Sequence, residues 1–295
     1  MVGKLEPERA SRYKVGDTFG QEVVVTRRSA FRTLGIEIGQ AAQYVIVSRL
    51  TVTKIGPDGG ATVTQTIEGG RLVDADPTMR ESLTAALAQI KGAALEIVVG
   101  PTGDVVRIRV PKDPVRLLVR EDPVAGKVLR VWSLLDEDGW KELAGITFFQ
   151  PVQPLQRGRT WARNLTHDWG ALGEWRGRTV YTDTGRQGAD ERITYAHALS
   201  HRPPQKVAEN MPVRVLAAEF APVTANGVIL YDPVRGRVSA AEEVFRVKGA
   251  VSVSTGVGPA AIEVEEEQGF RLRVTDPANR ALVGGGAPPG LRAEK

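Results

Sequence analysis

The feature that most narrows what this chain can fold into is a strict alternation of apolar and polar residues, broken by short runs of turn-forming residues. From position 44 the even residues read Tyr44, Ile46, Ser48, Leu50 and Val52, while Arg49, Thr51 and Thr53 point the other way. Gly56-Pro57-Asp58-Gly59-Gly60 follows. Proline presets one backbone angle there and the glycines tolerate positive φ, so the chain can reverse. The return run places Ala61, Val63 and Ile67 on one side and Thr62, Thr64, Thr66 and Glu68 on the other. A period of two with one apolar side is the pattern of an antiparallel sheet covered on one face.

The pattern recurs along the chain. Residues 95–99, the turn Gly100-Pro101-Thr102-Gly103-Asp104 and residues 105–110 read as a second hairpin, with Val106, Ile108 and Val110 opposite Arg107 and Arg109. Residues 179–182 and 193–199 pair around a polar, Gly-containing loop. Residues 228–231, the turn Asp232-Pro233-Val234-Arg235-Gly236 and the run from Arg237 make a fourth hairpin. Phe270, Leu272 and Val274 then alternate with Arg271 and Arg273, so many arginines belong to the outer face of a sheet.

Helical spacing is confined to two stretches, over 76–92 and within 112–143. Asp76 stands where an N-cap belongs, Pro77 suits the first turn and Gly92 closes the segment. Between them Met79, Leu83, Leu87 and Ile90 repeat on one face. In the second stretch residues 123–135 are the clearest, with Val124, Val128, Val131, Trp132 and Leu135 on one stripe. Such stripes need an apolar surface to cover, and the dry sheet face supplies it. The expected fold is mainly β (α+β): a large curved antiparallel sheet or half-barrel with a few amphipathic helices packed on its concave face.

One β-rich domain is expected over 1–283, with a flexible Gly/Pro tail over 284–295. Gly16-Asp17-Thr18-Phe19 is echoed by Gly158-Arg159-Thr160-Trp161, which follows the link Pro151-Val152-Gln153-Pro154. The echo suggests two related halves joined near 151–157.

Composition excludes several function classes. The 295 residues are 42% hydrophobic and 25% charged, enough for a sizeable core, and no run approaches the ~20 apolar residues of a membrane helix. Residues 1–11 are charged and polar, so no signal peptide is expected there. Cysteine is absent, which rules out disulfides, thiolate catalysis, Cys-ligated zinc and lipid attached through cysteine. The net charge is only +4 and the basic residues are scattered along strands, which argues against nucleic acid as a partner.

Chemistry-bearing motifs are scarce. His197 and His201 would share a face of a helix, but their surroundings read as strand, where four residues span ~13 Å and two rings cannot meet at one ion. No metal and no cofactor is therefore expected. His167-Asp168 and Ser200 do not make a nucleophile site without a Gly-x-Ser-x-Gly elbow. Glu263, Glu265, Glu266 and Glu267 read as the solvated end of a strand, and Asp136-Glu137-Asp138-Gly139 lacks calcium-loop spacing. Gly59-Gly60 and Gly69-Gly70 start no helix and so cradle no phosphate. Trp132, Trp140, Trp161, Trp169 and Trp175 crowd one central segment, either plugging the helix–sheet junction or forming a platform for a ligand.

Tyr13-Lys14-Val15-Gly16-Asp17-Thr18-Phe19, Ile90-Lys91-Gly92, the hairpin starting at Gly100, Gly158-Arg159-Thr160-Trp161 and the run from Tyr231 to Val238 occur in one order. That order resembles an uncharacterised family of bacterial secreted or envelope proteins, a domain of unknown function. Its layout is similar to that of LolA/LppX-type carriers, whose curved sheet wraps helices around an apolar cavity. The resemblance implies an exported, periplasmic-type binding module for a lipid, a lipoprotein or another envelope component, and it carries no catalytic residue. In such a carrier Met79, Leu83, Leu87, Ile90, Trp132 and Trp161 would face the ligand. The alternative is a structural or protein-interaction domain whose concave face is its own packed core. A carbohydrate-active hydrolase comes third.

Overall fold

The structure, a computed structural model, describes residues 12–109, 137–169, 172–203, 214–255 and 258–276. The element order is β1 (Thr18–Thr33), β2 (Ile36–Ile55), β3 (Ala61–Ala75), α1 (Pro77–Gln89), β4 (Ala94–Val99), β5 (Val105–Arg109), α2 (Glu137–Thr147), β6 (Thr160–Asp168), β7 (Glu174–Gln187), β8 (Asp190–Arg202), β9 (Arg214–Asp232), β10 (Arg237–Thr255) and β11 (Gly258–Thr275). All eleven strands form one antiparallel sheet in the order β5-β4-β3-β2-β1-β11-β10-β9-β8-β7-β6. β1 and β11, the first and last strands in sequence, thus pair at the sheet's centre.

The two edge strands do not hydrogen-bond to each other, yet the sheet curls until they are bridged. Arg163 on β6 reaches Asp104 beside β5 at 3.0 Å, the carbonyl of Thr102 at 3.4 Å and that of Gln150 at 2.5 Å. Gly103 lies so close to the 148–150 segment that a Cβ there would stand 2.4 Å from the Phe148 carbonyl oxygen. The result is an unclosed barrel with its apolar side inward.

Register carries that inner face across the sheet. Trp161, Tyr181, Tyr195, Gly227, Glu243, Phe270, Val25, Tyr44 and Leu72 stand opposite one another in sequence from β6 to β3. The main core cluster gathers the even residues of β2, such as Ile46 and Leu50, with Val63, Ile97, Ile229 and Leu272 and with residues of both helices. A second cluster lies further along the strands and joins Trp175, Val215, Phe220, Val247 and Val251. α2 enters the interior with Trp140, Leu143 and Ala144 buried. A chain of buried hydrogen bonds fixes it there: Gln65 Nε2 donates to Gln21 Oε1 at 2.9 Å, and Gln21 Nε2 donates to Thr147 Oγ1 at 2.7 Å.

Several sequence expectations change. Val106 does not face the core but is 68% exposed, because Val99 pairs with Val105 and Val98 with Arg107, leaving Val106 as a bulge. Val105 packs inward in its place, while Ile108 packs inward as its alternation predicts. Glu266 is not solvated: its position on β11 faces inward and it pairs with Arg27 at 2.8 Å. The second helix runs beyond 143 to Thr147, while residues 123–135, Val110, the tail over 284–295 and Trp132 lie outside the described residues. Asp76 occupies the N-cap position without capping; its carboxylate accepts from the Ala41 backbone N–H and ties α1 to β2. The Gly16 and Gly158 motifs enter the sheet alike. In each, a glycine at positive φ donates to the neighbouring strand (Gly16 to Val52, Gly158 to Asp183) and the next residue accepts in return.

The β1–β2 turn consists of Leu34 at φ 50° and Gly35 at φ 79°, with Thr33 and Ile36 paired across it. Leucine in the left-handed region carries a Cβ–carbonyl clash of about 1–2 kcal/mol. Leu34 is 94% exposed, so no packing offsets that cost. Leu34→Asn should therefore raise stability by about 0.5–1 kcal/mol, read as a higher urea midpoint at unchanged slope. A lower midpoint would show that the leucine stabilises the turn by some other route.

Candidate functional site

α1 starts because Pro77 presets its first turn, and the chain leaves it through Gly92 at φ 81°. Its apolar stripe turns onto β3. Leu87 rests on Gly70, where a Cβ would come within 2.7 Å of Leu87 Cδ2. Leu83, Leu87 and Ile90 are buried at 6%, 2% and 2% exposure in the same cluster as Tyr44, Ile46, Leu50 and Val63, and Met79 packs against it from the rim. Between this helix and the sheet lies a cleft of about 10 Å³, lined by Arg27, Ser29, Gln40, Tyr44, Met79 and Leu83. That volume holds about one water. The stripe is thus a packed wall with a narrow cleft at its Met79–Leu83 end.

Trp161 is not beside it. It stacks on Tyr181 at 5.6 Å and on Phe149 at 6.4 Å, near the sheet's β6 edge, with Arg163 over the Phe149 ring at 5.1 Å. Trp140 and Trp175 are buried in different clusters, and Trp169 meets Trp175 edge-on at 5.5 Å. The four described tryptophans divide between two cores and form no exposed row.

Sequence spacing missed a polar group at the centre of the inner face. Glu142 on α2, His197 on β8 and Glu243 on β10 bring one ligand atom each to within 4.8 Å of one another. His197 Nε2 lies 3.3 Å from Glu243 Oε2, and their side chains are 6% and 3% exposed. The Tyr195 hydroxyl donates to the same Glu243 oxygen at 2.7 Å, and Thr179 Oγ1 is 2.8 Å from His197 Nδ1. His167 on β6 comes within 3.9 Å of Glu142. Gly227 on β9 lets Tyr195 cross to Glu243, since a Cβ there would lie 2.4 Å from the Tyr195 hydroxyl. One imidazole between two carboxylates can hold a divalent cation or a shared proton. His201 belongs elsewhere: its Nε2 is 2.8 Å from the Leu172 carbonyl, as the strand reading of 193–199 requires.

Burial also governs the phenols. It pushes Tyr13, Tyr44 and Tyr181 up to about 12, and Tyr195 well above the usual 10 through burial reinforced by the Glu243 charge.

No family model and no curated protein matches the chain. Among solved structures, similarity is found to a DUF1329 family protein from Desulfovibrio piger, at 8% identity and TM-score 0.16 over 83% of each chain. It is also found to a putative outer membrane lipoprotein-sorting protein domain from Vibrio parahaemolyticus, at 8% identity and TM-score 0.15 over 86% of this chain and 83% of that one. Likeness at that level carries no argument about function.

The packed wall makes Leu87→Ala costly. Truncating a side chain 2% exposed should lose about 2–5 kcal/mol in denaturant unfolding, because Gly70 and β3 cannot follow the retreating surface. A loss under about 1 kcal/mol would mean that α1 collapses freely onto the sheet. The tyrosines set an alkaline limit. Their folded-state pKa values are raised, so their contribution is intact below pH 10 and disappears as pH climbs from 10 towards 12. Phenolate absorbance of these residues should appear together with loss of tertiary signal; full ionisation at pH 10 in an intact fold would contradict it.

Proposed function

We propose that the protein is a non-enzymatic binding module that holds a lipid or lipid-like apolar ligand on the inner face of its curled sheet, beyond α1. One observation carries this reading. The apolar lining does not end with the main core: Ile38, Phe31 and Val264 continue in register across β2, β1 and β11, up to the second core cluster at Gly249 and Phe220. Ile38 is 53% exposed and Ile36, two residues before it, is 62% exposed, while Phe31 and Val264 are half-buried. Contiguous apolar surface in a concave setting, rimmed by charge, is the form a lipid-chain site takes. On the inner face the strip is bounded on its core side by the Arg27–Glu266 ion pair at 2.8 Å.

Where the strip meets the core, Arg27, Ser29 and Gln40 line the narrow cleft, and the buried Gln40 Oε1 has no hydrogen-bond partner among the described residues. It suits a donor on a ligand head group, with the chain laid along Phe31, Ile38 and Val264. Met79 and Leu83 form the adjoining wall. Leu87, Ile90 and Trp161 support that wall and the opposite edge without touching the chain.

A second reading is favoured by a different observation: the tightness of the α1 stripe suits a structural or protein-interaction domain whose inner face is simply its core. A fluorescent long-chain fatty acid, titrated into the full chain and competed with phosphatidylethanolamine vesicles, separates the two. Saturable binding at one probe per chain, weakened about tenfold by Ile38→Glu at unchanged unfolding midpoint, supports the lipid module. Failure of the parent protein to bind the probe saturably overturns it in favour of the packed domain.

A further inference from the structure

We propose that Glu142, His197 and Glu243 form a divalent-cation site that latches α2 to β8 and β10. The inference is independent of the lipid reading. It replaces the sequence expectation of no metal, which considered His197 only in company with His201. The structure keeps those two rings apart and supplies His197 with carboxylates from two other elements, 55 residues before it and 46 after it in sequence.

The geometry suits an ion. Donor atoms about 2.1 Å from a tetrahedral ion stand about 3.4 Å from one another. His197 Nε2 and Glu243 Oε2 already lie 3.3 Å apart, and all three donors fall within 4.8 Å, so a shift of the Glu142 side chain by about 1 Å completes the set. The outer contacts are those that orient ligands. Thr179 engages the far nitrogen of His197 and aims Nε2 inward, while Tyr195 donates to Glu243.

A separate observation concerns charge. Glu243 is 3% exposed, and among the described residues its partners are Tyr195 and His197, with no guanidinium or ammonium group against it. Glu266, also buried on the inner face, is by contrast paired with Arg27. A buried charge is paired or binds a metal. Access exists on the α2 side, where Glu142 and His167 are 20% and 18% exposed. One nitrogen and two carboxylates select a first-row divalent ion such as Zn²⁺ or Mn²⁺ over Ca²⁺, which takes six or more oxygens, and over Cu⁺, which prefers sulfur.

Isothermal titration of the full chain, stripped with chelator, with Zn²⁺ and separately with Mn²⁺ tests the site. One equivalent per chain is expected, with an unfolding midpoint that rises with free cation. Binding should vanish in His197→Gln and Glu243→Gln, weaken about tenfold in Tyr195→Phe, and persist in His201→Gln. Should the inner-face variants not fold, pulsed electron paramagnetic resonance of the Mn²⁺-loaded parent decides, because a site containing His197 must show imidazole nitrogen coupling. Absence of stoichiometric binding by the parent overturns the proposal. So does full affinity in folded His197→Gln, or bound Mn²⁺ without nitrogen coupling.

Discussion

Everything inside this protein depends on how an eleven-stranded sheet disposes of its two edges. A flat sheet of this width would leave an apolar face too large for two helices and two rows of unpaired backbone groups open to other chains. Right-handed twist, accumulated over strands of up to 20 residues, rolls the sheet until β5 and β6 approach. They do not zip together. Arg163 spans them, bonding to Asp104 and to the Thr102 and Gln150 carbonyls while its guanidinium covers Phe149 and Tyr181. A planar, five-donor cation is suited to such a mixed polar and aromatic gap, and lysine would fill it poorly. The seam stays open enough for the 148–150 segment to lie against it.

Inside the roll, polar groups are placed where they specify position. The Gln65–Gln21–Thr147 chain ties β3 and β1 to the last turn of α2, and the Glu142 group meets β8 and β10 from the same helix. Apolar packing alone would let a short helix slide along a smooth β surface. Hydrogen bonds to fixed partners in a low-dielectric interior permit one setting, because any other leaves buried donors and acceptors unpaired. Arg27 with Glu266 marks the boundary where the packed core gives way to the more exposed strip around Ile38.

The sheet was legible because alternation is a local property: each hairpin can be read from ten or so neighbouring residues, and the turns at 56–60, 100–104 and 232–236 fall where proline and glycine mark them. Misreadings have local causes too. The Val106 bulge inserts one residue and reverses the faces before it, which no propensity signals. The Leu34-Gly35 turn escaped notice because leucine is not a residue that favours positive φ. Glu266 was misplaced by reading four nearby glutamates as one solvated group instead of following the strand's parity inward. The α1 stripe was visible, but whether it lined a space or a solid core depended on Gly70, a residue on another element. The Glu142 group was not legible at all. Its members come from three elements, and the Tyr195–Glu243 bond exists only because Gly227 on the strand between them has no side chain.

Where a ligand could lie follows from what already fills the roll. α2 occupies the region between β5 and β10, and its Trp140 and Leu143 are buried in the main core. α1 closes β3 down to a cleft of about 10 Å³. The space a carrier of this shape would keep for its cargo is, at this end of the barrel, taken by the protein's own side chains. Among the described residues, the inner face presents partly exposed apolar surface along Phe31, Ile38 and Val264. The Met79 end of α1 is held by that half-buried methionine, by the Asp76 contact with β2 and by Arg80, which bonds to Asp74 and to the Ala75 carbonyl, while its Leu87 end is seated on Gly70.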